Sequence, residues 1–354
     1  MPHSNRLFRN HLLNEPANFL HSMDIDGDRA TFIRTSRTLL SEATFVDGRS
    51  PIGLAPPETT LLSSLTGPTA NQIHPSRFIF HMSFCGSTQL ARLIDVPRHS
   101  LVLKEPNCLV DLSNWKSLNR RAGKPTQRLG AAIRLAKNLL GRPFALGEAV
   151  TVKPSSWANN LIDELASEGT GGLPVFVTID RSAFLRAVFR GGTDRMAFAA
   201  QLAWHMASEI PEGDHLLELA VGAGRDPLAK AANMALVAHH LQLNAFGRAL
   251  RRRGWGNDRF IDFRQVTGSP YDAALKACRA LRLPIDGRDL ERNVEKFTGK
   301  HSKVPSIAYS PVRQSAHDAA VLSHHGQSIE TALAWSERVL GTEGKALEFD
   351  RLSA

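Results

Sequence analysis

The 354-residue sequence predicts an α/β fold: a doubly wound, mainly parallel sheet with helices on both faces, behind a small N-terminal extension. Three observations predict it. Short runs apolar on both faces recur from Arg77 onward, as strands buried in a parallel sheet do. Helical patterns separate those runs, the alternation that right-handed crossovers produce. A stretch rich in Pro, Gly and Ser, from Gly48 to Pro75, sets the first part of the chain apart.

Residues 1–72 form the extension, with an extended segment at Thr31–Thr35 (TFIRT) and a helix around Ser36–Thr44. Residues 73–354 form the main domain. Its predicted strands are Arg77–His81, Leu101–Lys104, Val150–Lys153, Val175–Ile179 and Arg259–Phe263, all rich in Val, Ile and Phe. Its predicted helices are Thr88–Asp95, Gln127–Leu140, Ser156–Ser167, Ser182–Arg190, Arg195–Glu209, Pro227–Arg252 and Tyr271–Leu281. Arg251, Arg252 and Arg253 close the longest of these. Cations suit a helix C-terminus, so the run reads as a cap rather than a nucleic-acid contact. No internal repeat is visible.

Hydrophobic residues make up 42% and charged residues 22%, which fits a globular protein and argues against disorder. The net charge of +9 suits an anionic ligand. The chain lacks aromatic interleaving and any nucleic-acid motif, so nucleic acid is not an expected partner. Three widely spaced cysteines, Cys85, Cys108 and Cys278, argue against a disulfide framework or zinc site and for a reducing compartment. The polar N-terminus has no apolar signal core. No stretch approaches the roughly 20 apolar residues that span a bilayer. A cytoplasmic protein without membrane association is expected. His239-His240 and His324-His325 are adjacent pairs whose side chains diverge on a helix, and nothing is spaced to complete either site, so no metal is expected.

In such sheets ligands bind beyond the carboxyl ends of the strands. There RFIFH runs directly into MSFCGSTQLARLID. Ser83, Phe84, Cys85, Gly86, Ser87 and Thr88 make a strand-to-helix loop whose backbone N–H groups suit an anion. Gly86 permits close backbone approach, and the Ser87 and Thr88 hydroxyls add donors. A helix N-terminus also favours a reactive thiol at Cys85, although a small residue simply fits there. Against the Walker A pattern, His81 replaces the first Gly and Ser87 replaces the Lys, which argues against an ATPase or GTPase. Lys104, Lys153 and Arg181 each stand at the end of a predicted strand, suggesting converging cations.

FIFHMSFCGSTQLARL resembles the 5′-phosphosulfate loop of sulfotransferases, most of all that of bacterial sulfotransferase-family P-loop proteins. VFVTIDRSAFLRAVFR is similar to their 3′-phosphate-binding strand, Arg and helix. RFIDFRQVTGSPYDAALKACRALRLPI is similar to their late strand–loop–helix segment. KFTGKHSKVP is similar to the segment that closes over the nucleotide. The blocks span roughly residues 75–313. The resemblance implies 3′-phosphoadenosine 5′-phosphosulfate as donor, a small-molecule acceptor with a hydroxyl or amine, and no metal. It implies Ser83–Thr88, Arg181, Arg190 and Lys303 as donor-binding residues.

Two positions depart from the family. Phe84 stands where the loop usually carries Lys or Arg, and Phe189 stands where a Ser usually follows the Arg. Arg190 lies next to that position. Lys104 or Lys153 is a candidate for the missing charge. Glu105 is the first candidate for general base and His205 the second. A phosphotransferase would need a Mg²⁺-binding carboxylate, for which Asp180 and Asp262 are the candidates. A degenerate binding protein is the reading that Phe84 and Phe189 favour. Acceptor contacts are expected in residues 1–72, 112–147 and 210–225.

Overall fold

The computed structural model describes residues 11–65, 76–166, 172–299 and 311–341. The chain forms two compact units. The first comprises the chain up to His81, Gly86–Val177 and the stretch from Asp258. The second comprises Met82–Cys85, Thr178–Asn257 and the C-terminal helix.

The first unit opens with an antiparallel sheet of β1 (Asn18–Asp24), β2 (Arg29–Arg34) and β3 (Glu58–Leu61) in the order β1-β2-β3. The β1–β2 turn contains Asp26-Gly27, a turn-forming pair. A Cβ at Gly27 would lie 2.2 Å from the Asp24 carboxylate, which accepts the Gly27 N–H at 2.8 Å. The sequence reading located β2 but not β1 or β3. Helix α1 (Arg37–Glu42) follows, capped by the Ser36 hydroxyl, and then α2 (Leu62–Leu65). The expected boundary at residue 72 lies outside the described residues.

The second sheet of this unit has five strands: β4 (Arg77–His81), β5 (Ser100–Lys104), β6 (Ala149–Lys153), β7 (Leu173–Thr178) and β8 (Phe260–Asp262). Their order is β5-β6-β4-β7-β8, with parallel pairing of β5 with β6, β6 with β4 and β4 with β7. Every predicted strand is present, with ends shifted by at most two residues. Phe80, Phe176 and Phe260 stack across β4, β7 and β8 with centroids 5.7 and 5.5 Å apart. Phe80 and Phe176 are register partners, so parallel pairing itself brings the rings together. Full burial of such side chains stabilises by roughly 1.5–3 kcal/mol each.

Helices flank this sheet: α3 (Ser87–Leu93), α4 (Asn107–Arg121), α5 (Gln127–Leu140), α6 (Ile162–Leu165), α11 (Phe263–Gly268), α12 (Pro270–Leu281) and α13 (Gly287–Phe297). The expected helix from Ser156 begins as a tighter 3₁₀ turn, Ser156–Leu161. Within it the Asn160 amide exchanges hydrogen bonds with Ser113 of α4 at 2.7 and 3.0 Å. From β4 the chain moves out to β5 and returns through β6 to β4, then places β7 on the other side of β4. The carboxyl end of β4 is therefore the switch point of the sheet.

The second unit is helical: α7 (Arg181–Arg190), α8 (Gly192–Ala207), α9 (Gly213–Ala223), α10 (Pro227–Arg253) and α14 (Pro311–Leu340). Asp226 caps α10 and Pro227 opens it. The helix ends at Gly254, in the left-handed conformation, directly after Arg251, Arg252 and Arg253. That is the capping arrangement expected of this run. No described helix is long and apolar enough to cross a membrane.

Candidate functional site

Residue His81 ends β4. Its ring Nε2 lies 2.9 Å from the Pro154 carbonyl, and its own carbonyl accepts the Asn159 amide at 3.0 Å. The loop follows. Phe84 and Gly86 are left-handed, with φ of 66° and 76°, and Cys85 between them is not. Such alternation turns successive backbone N–H groups toward one side, the conformation that suits an anion. The Gly86 carbonyl then accepts from Gln89 and Leu90, starting α3. A positive φ is unusual for a bulky residue, and strain of this kind gathers at functional sites. Gly86 is needed twice over, because a Cβ there would also lie 3.3 Å from the Phe263 ring. Ser83, Cys85, Ser87 and Thr88 are buried.

Phe84, grouped with the second unit, places its ring 5.8 Å from Phe184 of α7 and 6.4 Å from Phe198 of α8. The Arg195 guanidinium lies 4.8 Å above that ring.

In the first unit the carboxyl ends of β5, β6 and β4 carry a charged cluster. Lys104 and Lys153 are register partners and lie on the same face of the sheet. Strand alternation would send Glu105 to the opposite face. Its backbone turns left-handed instead, with φ of 63°, and its carboxylate meets the Lys153 ammonium at 2.6 Å. Arg49 donates to the other carboxylate oxygen at 3.2 Å, and His81 Nε2 stands 4.0 Å away. Arg49 in turn pairs with Asp47 and lies 4.0 Å over the Phe45 ring. Burial opposes ionisation of Glu105, but Lys153, His81 and Arg49 outweigh it and hold the carboxyl below its ordinary range. Glu105 is therefore an ionised acceptor, but a weak base while both cations remain.

The Lys104 ammonium points elsewhere. It donates to the Ser41, Leu40 and Val102 carbonyls at 2.8, 3.3 and 3.3 Å, and lies 3.7 Å from Asp95. It thus caps the C-terminal end of α1. Burial pushes it down to about 8 and pushes Asp95 up.

Arg181 starts α7 and donates to the Gly341 carbonyl at 2.6 Å. Arg190, at the other end of α7, is ion-paired with Asp318. Phe189 packs 5.2 Å from His325. His205 is buried. His239 donates from Nε2 to the Ile179 carbonyl at 2.8 Å, and burial lowers it to about 3; burial lowers His240 to about 4. Asp180 caps α7 through the Ala183 N–H at 2.7 Å, and Asp262 caps α11 in a capping box with Gln265. Lys303 lies outside the described residues. Among the described residues no three His, Cys, Asp or Glu side chains are grouped to hold a metal.

The first unit therefore brings together Glu105, Lys153 and His81, while Arg181 and Arg190 belong to the second. Sequence reasoning missed Arg49. It is 56 residues from Glu105 in sequence, and no local pattern announces it.

No family model matches the chain, and no curated protein matches it. Among solved structures it is similar to the sulfotransferase domain from the curacin biosynthetic pathway, at 9% identity, covering 72% of this chain and 99% of that one with a TM-score of 0.39. It is also similar to a sulfotransferase from Alicyclobacillus acidocaldarius, at 13% identity, covering 74% of this chain and 98% of that one with a TM-score of 0.33.

Proposed function

We propose that this chain is a sulfotransferase. In this reading it takes 3′-phosphoadenosine 5′-phosphosulfate as donor and passes the sulfuryl group to a hydroxyl or amine of a small molecule. One observation carries the reading. The Ser83–Thr88 loop leaves the carboxyl end of the central strand β4 with left-handed backbone at both Phe84 and Gly86. Loop N–H groups and the Ser83, Ser87 and Thr88 hydroxyls are the donors to the phosphosulfate. Arg181 and Arg190 are the residues for the 3′-phosphate, and Arg190 must exchange Asp318 for it.

The acceptor oxygen or nitrogen attacks sulfur, and the sulfur–oxygen bond to the nucleotide phosphate breaks. The acceptor proton goes to Glu105. Lys153 and Arg49 keep that carboxylate ionised and oriented at rest, and it gains basicity when the bound donor draws one of those cations away. Positioning and charge stabilisation dominate such a transfer.

A second reading, nucleotide binding without transfer, is favoured by Phe84 in place of a loop cation. A phosphotransferase is less well supported, because both candidate carboxylates, Asp180 and Asp262, cap helices.

The test is thermal stabilisation by 3′,5′-adenosine bisphosphate, ATP with Mg²⁺, and AMP, followed by transfer of labelled sulfate to a panel of alcohols and amines. A ligand at 100 times its Kd adds about 2.7 kcal/mol. The bisphosphate is expected to stabilise most. Stabilisation by ATP with Mg²⁺ alone overturns the reading. Stabilisation by the bisphosphate without transfer to any acceptor supports the second one.

A further inference from the structure

We propose that Arg195 supplies the positive charge that the loop itself lacks, as the side chain that binds the 5′ phosphate or sulfuryl oxygens of the nucleotide. This inference rests on the proposed donor-binding role of the loop.

The guanidinium is held in place from three directions. Its carbon stands 4.8 Å from the centroid of the Phe84 ring, within the range of a cation–π contact. Its Nη1 donates to the Ala187 carbonyl, near the end of α7, at 2.8 Å. Its stem crosses Gly191, where a Cβ would lie 1.9 Å from Cδ and 2.3 Å from Nε. Only glycine at 191 leaves room for that path.

The placement is electrostatically unusual. Arg195 lies close to the N-terminus of α8, the positive end of the helix dipole, where carboxylates are favoured. Among the described residues no carboxylate pairs with it. Desolvation, with a smaller contribution from the like charge of Arg190, lowers its pKa from the ordinary arginine value. A half-buried cation with one neutral acceptor and four remaining N–H donors is suited to an oxyanion.

Phe84 thus provides a platform. The left-handed backbone turns its ring onto Phe184 and Phe198, and the charge comes from a residue 111 positions later resting on that ring.

The experiment uses full-length protein and titration calorimetry with 3′,5′-adenosine bisphosphate and, separately, adenosine 3′-monophosphate, which has no 5′ anion. Arg195→Gln keeps an N–H donor for Ala187 but removes the charge. Arg195→Lys keeps the charge. Gly191→Ala leaves Arg195 in the sequence but blocks its path; Gly191 has φ of −91°, which alanine adopts readily. Arg195→Gln and Gly191→Ala are each expected to weaken the bisphosphate at least tenfold and to leave the 3′-monophosphate unchanged. Arg195→Lys is expected to stay within about threefold of wild type. Equal losses for both nucleotides, or unchanged bisphosphate affinity in either weakened variant, overturn the role of Arg195. Wild-type protein that binds no bisphosphate overturns the donor reading itself, and the inference with it. Melting temperatures of the nucleotide-free variants separate a folding defect from a binding one.

Discussion

The Glu105 carboxylate and the Lys153 ammonium meet at 2.6 Å, although strand alternation assigns them to opposite faces of the sheet. The left-handed backbone at Glu105 makes the contact possible. Lys153 is fully buried, so the pair is needed to keep its charge inside the fold.

Glu105→Gln is expected to lower transfer by 10²–10⁴-fold, the usual contribution of a general base. The pH dependence of stability gives a separate test. Glu105 titrates below its ordinary 4.5, so its contribution is complete above pH 4.5 and is lost as pH falls through the depressed value. Denaturation profiles of wild type and Glu105→Gln should therefore converge in acid and separate above pH 4.5.

Lys104 is expected to affect stability on the alkaline side. Its pKa falls from 10.5 to about 8 on folding, so the unfolded chain holds more protons between those values. Stability contributed by this residue therefore rises with pH across that window. Lys104→Met should remove the rise. It should also destabilise by about 3 kcal/mol at neutral pH, because Asp95 loses a buried partner. Urea unfolding at stepped pH measures both.

Gly86→Val is expected to cost about 1–3 kcal/mol, since a β-branched residue is strained at positive φ. Its Cβ would also press on Phe263 and Val266 at 3.3 and 3.4 Å. Binding of 3′,5′-adenosine bisphosphate should fall far more than stability does. Unchanged affinity in a folded variant would remove the loop from the donor site.

Asp262→Ala should lower stability by about 1 kcal/mol through loss of the α11 cap. Mg²⁺ should add nothing to ATP binding in either wild type or this variant. A Mg²⁺ effect present in wild type and absent from Asp262→Ala would favour phosphotransfer.

The five strands of the parallel sheet were legible because burial on both faces selects short runs such as FIF, LVL and VFV, whose length and β-branched or aromatic content favour strand over buried helix. Long helices with a cap and a stop, such as Pro227–Arg253, were legible for a similar local reason. Helix α4 was missed because its buried side includes Ser113, Lys116 and Ser117, satisfied by partners such as the Trp157 and Asn160 carbonyls. A polar face buried through distant partners leaves no apolar period to read. Helix α13 was missed although Leu290, Val294 and Phe297 recur at helical spacing; its stripe is one residue wide in an otherwise charged segment. The loop at Ser83–Thr88 was visible from its spelling, but the left-handed turn at Phe84 was not.

By itself, then, the sequence determined the alternation of strand and helix, the position of the loop after β4 and the termini of the long helix. Each depends on a residue's own conformational preference or on apolar period over a few neighbours. Tertiary structure alone decided what the charged residues do. It turned Lys104 toward the carbonyls of α1, set Arg49 and Lys153 on Glu105, and laid Arg195 across Phe84. The physical reason is that a charge's role follows from what desolvates it and what pairs with it, and those groups come from segments far apart in the chain.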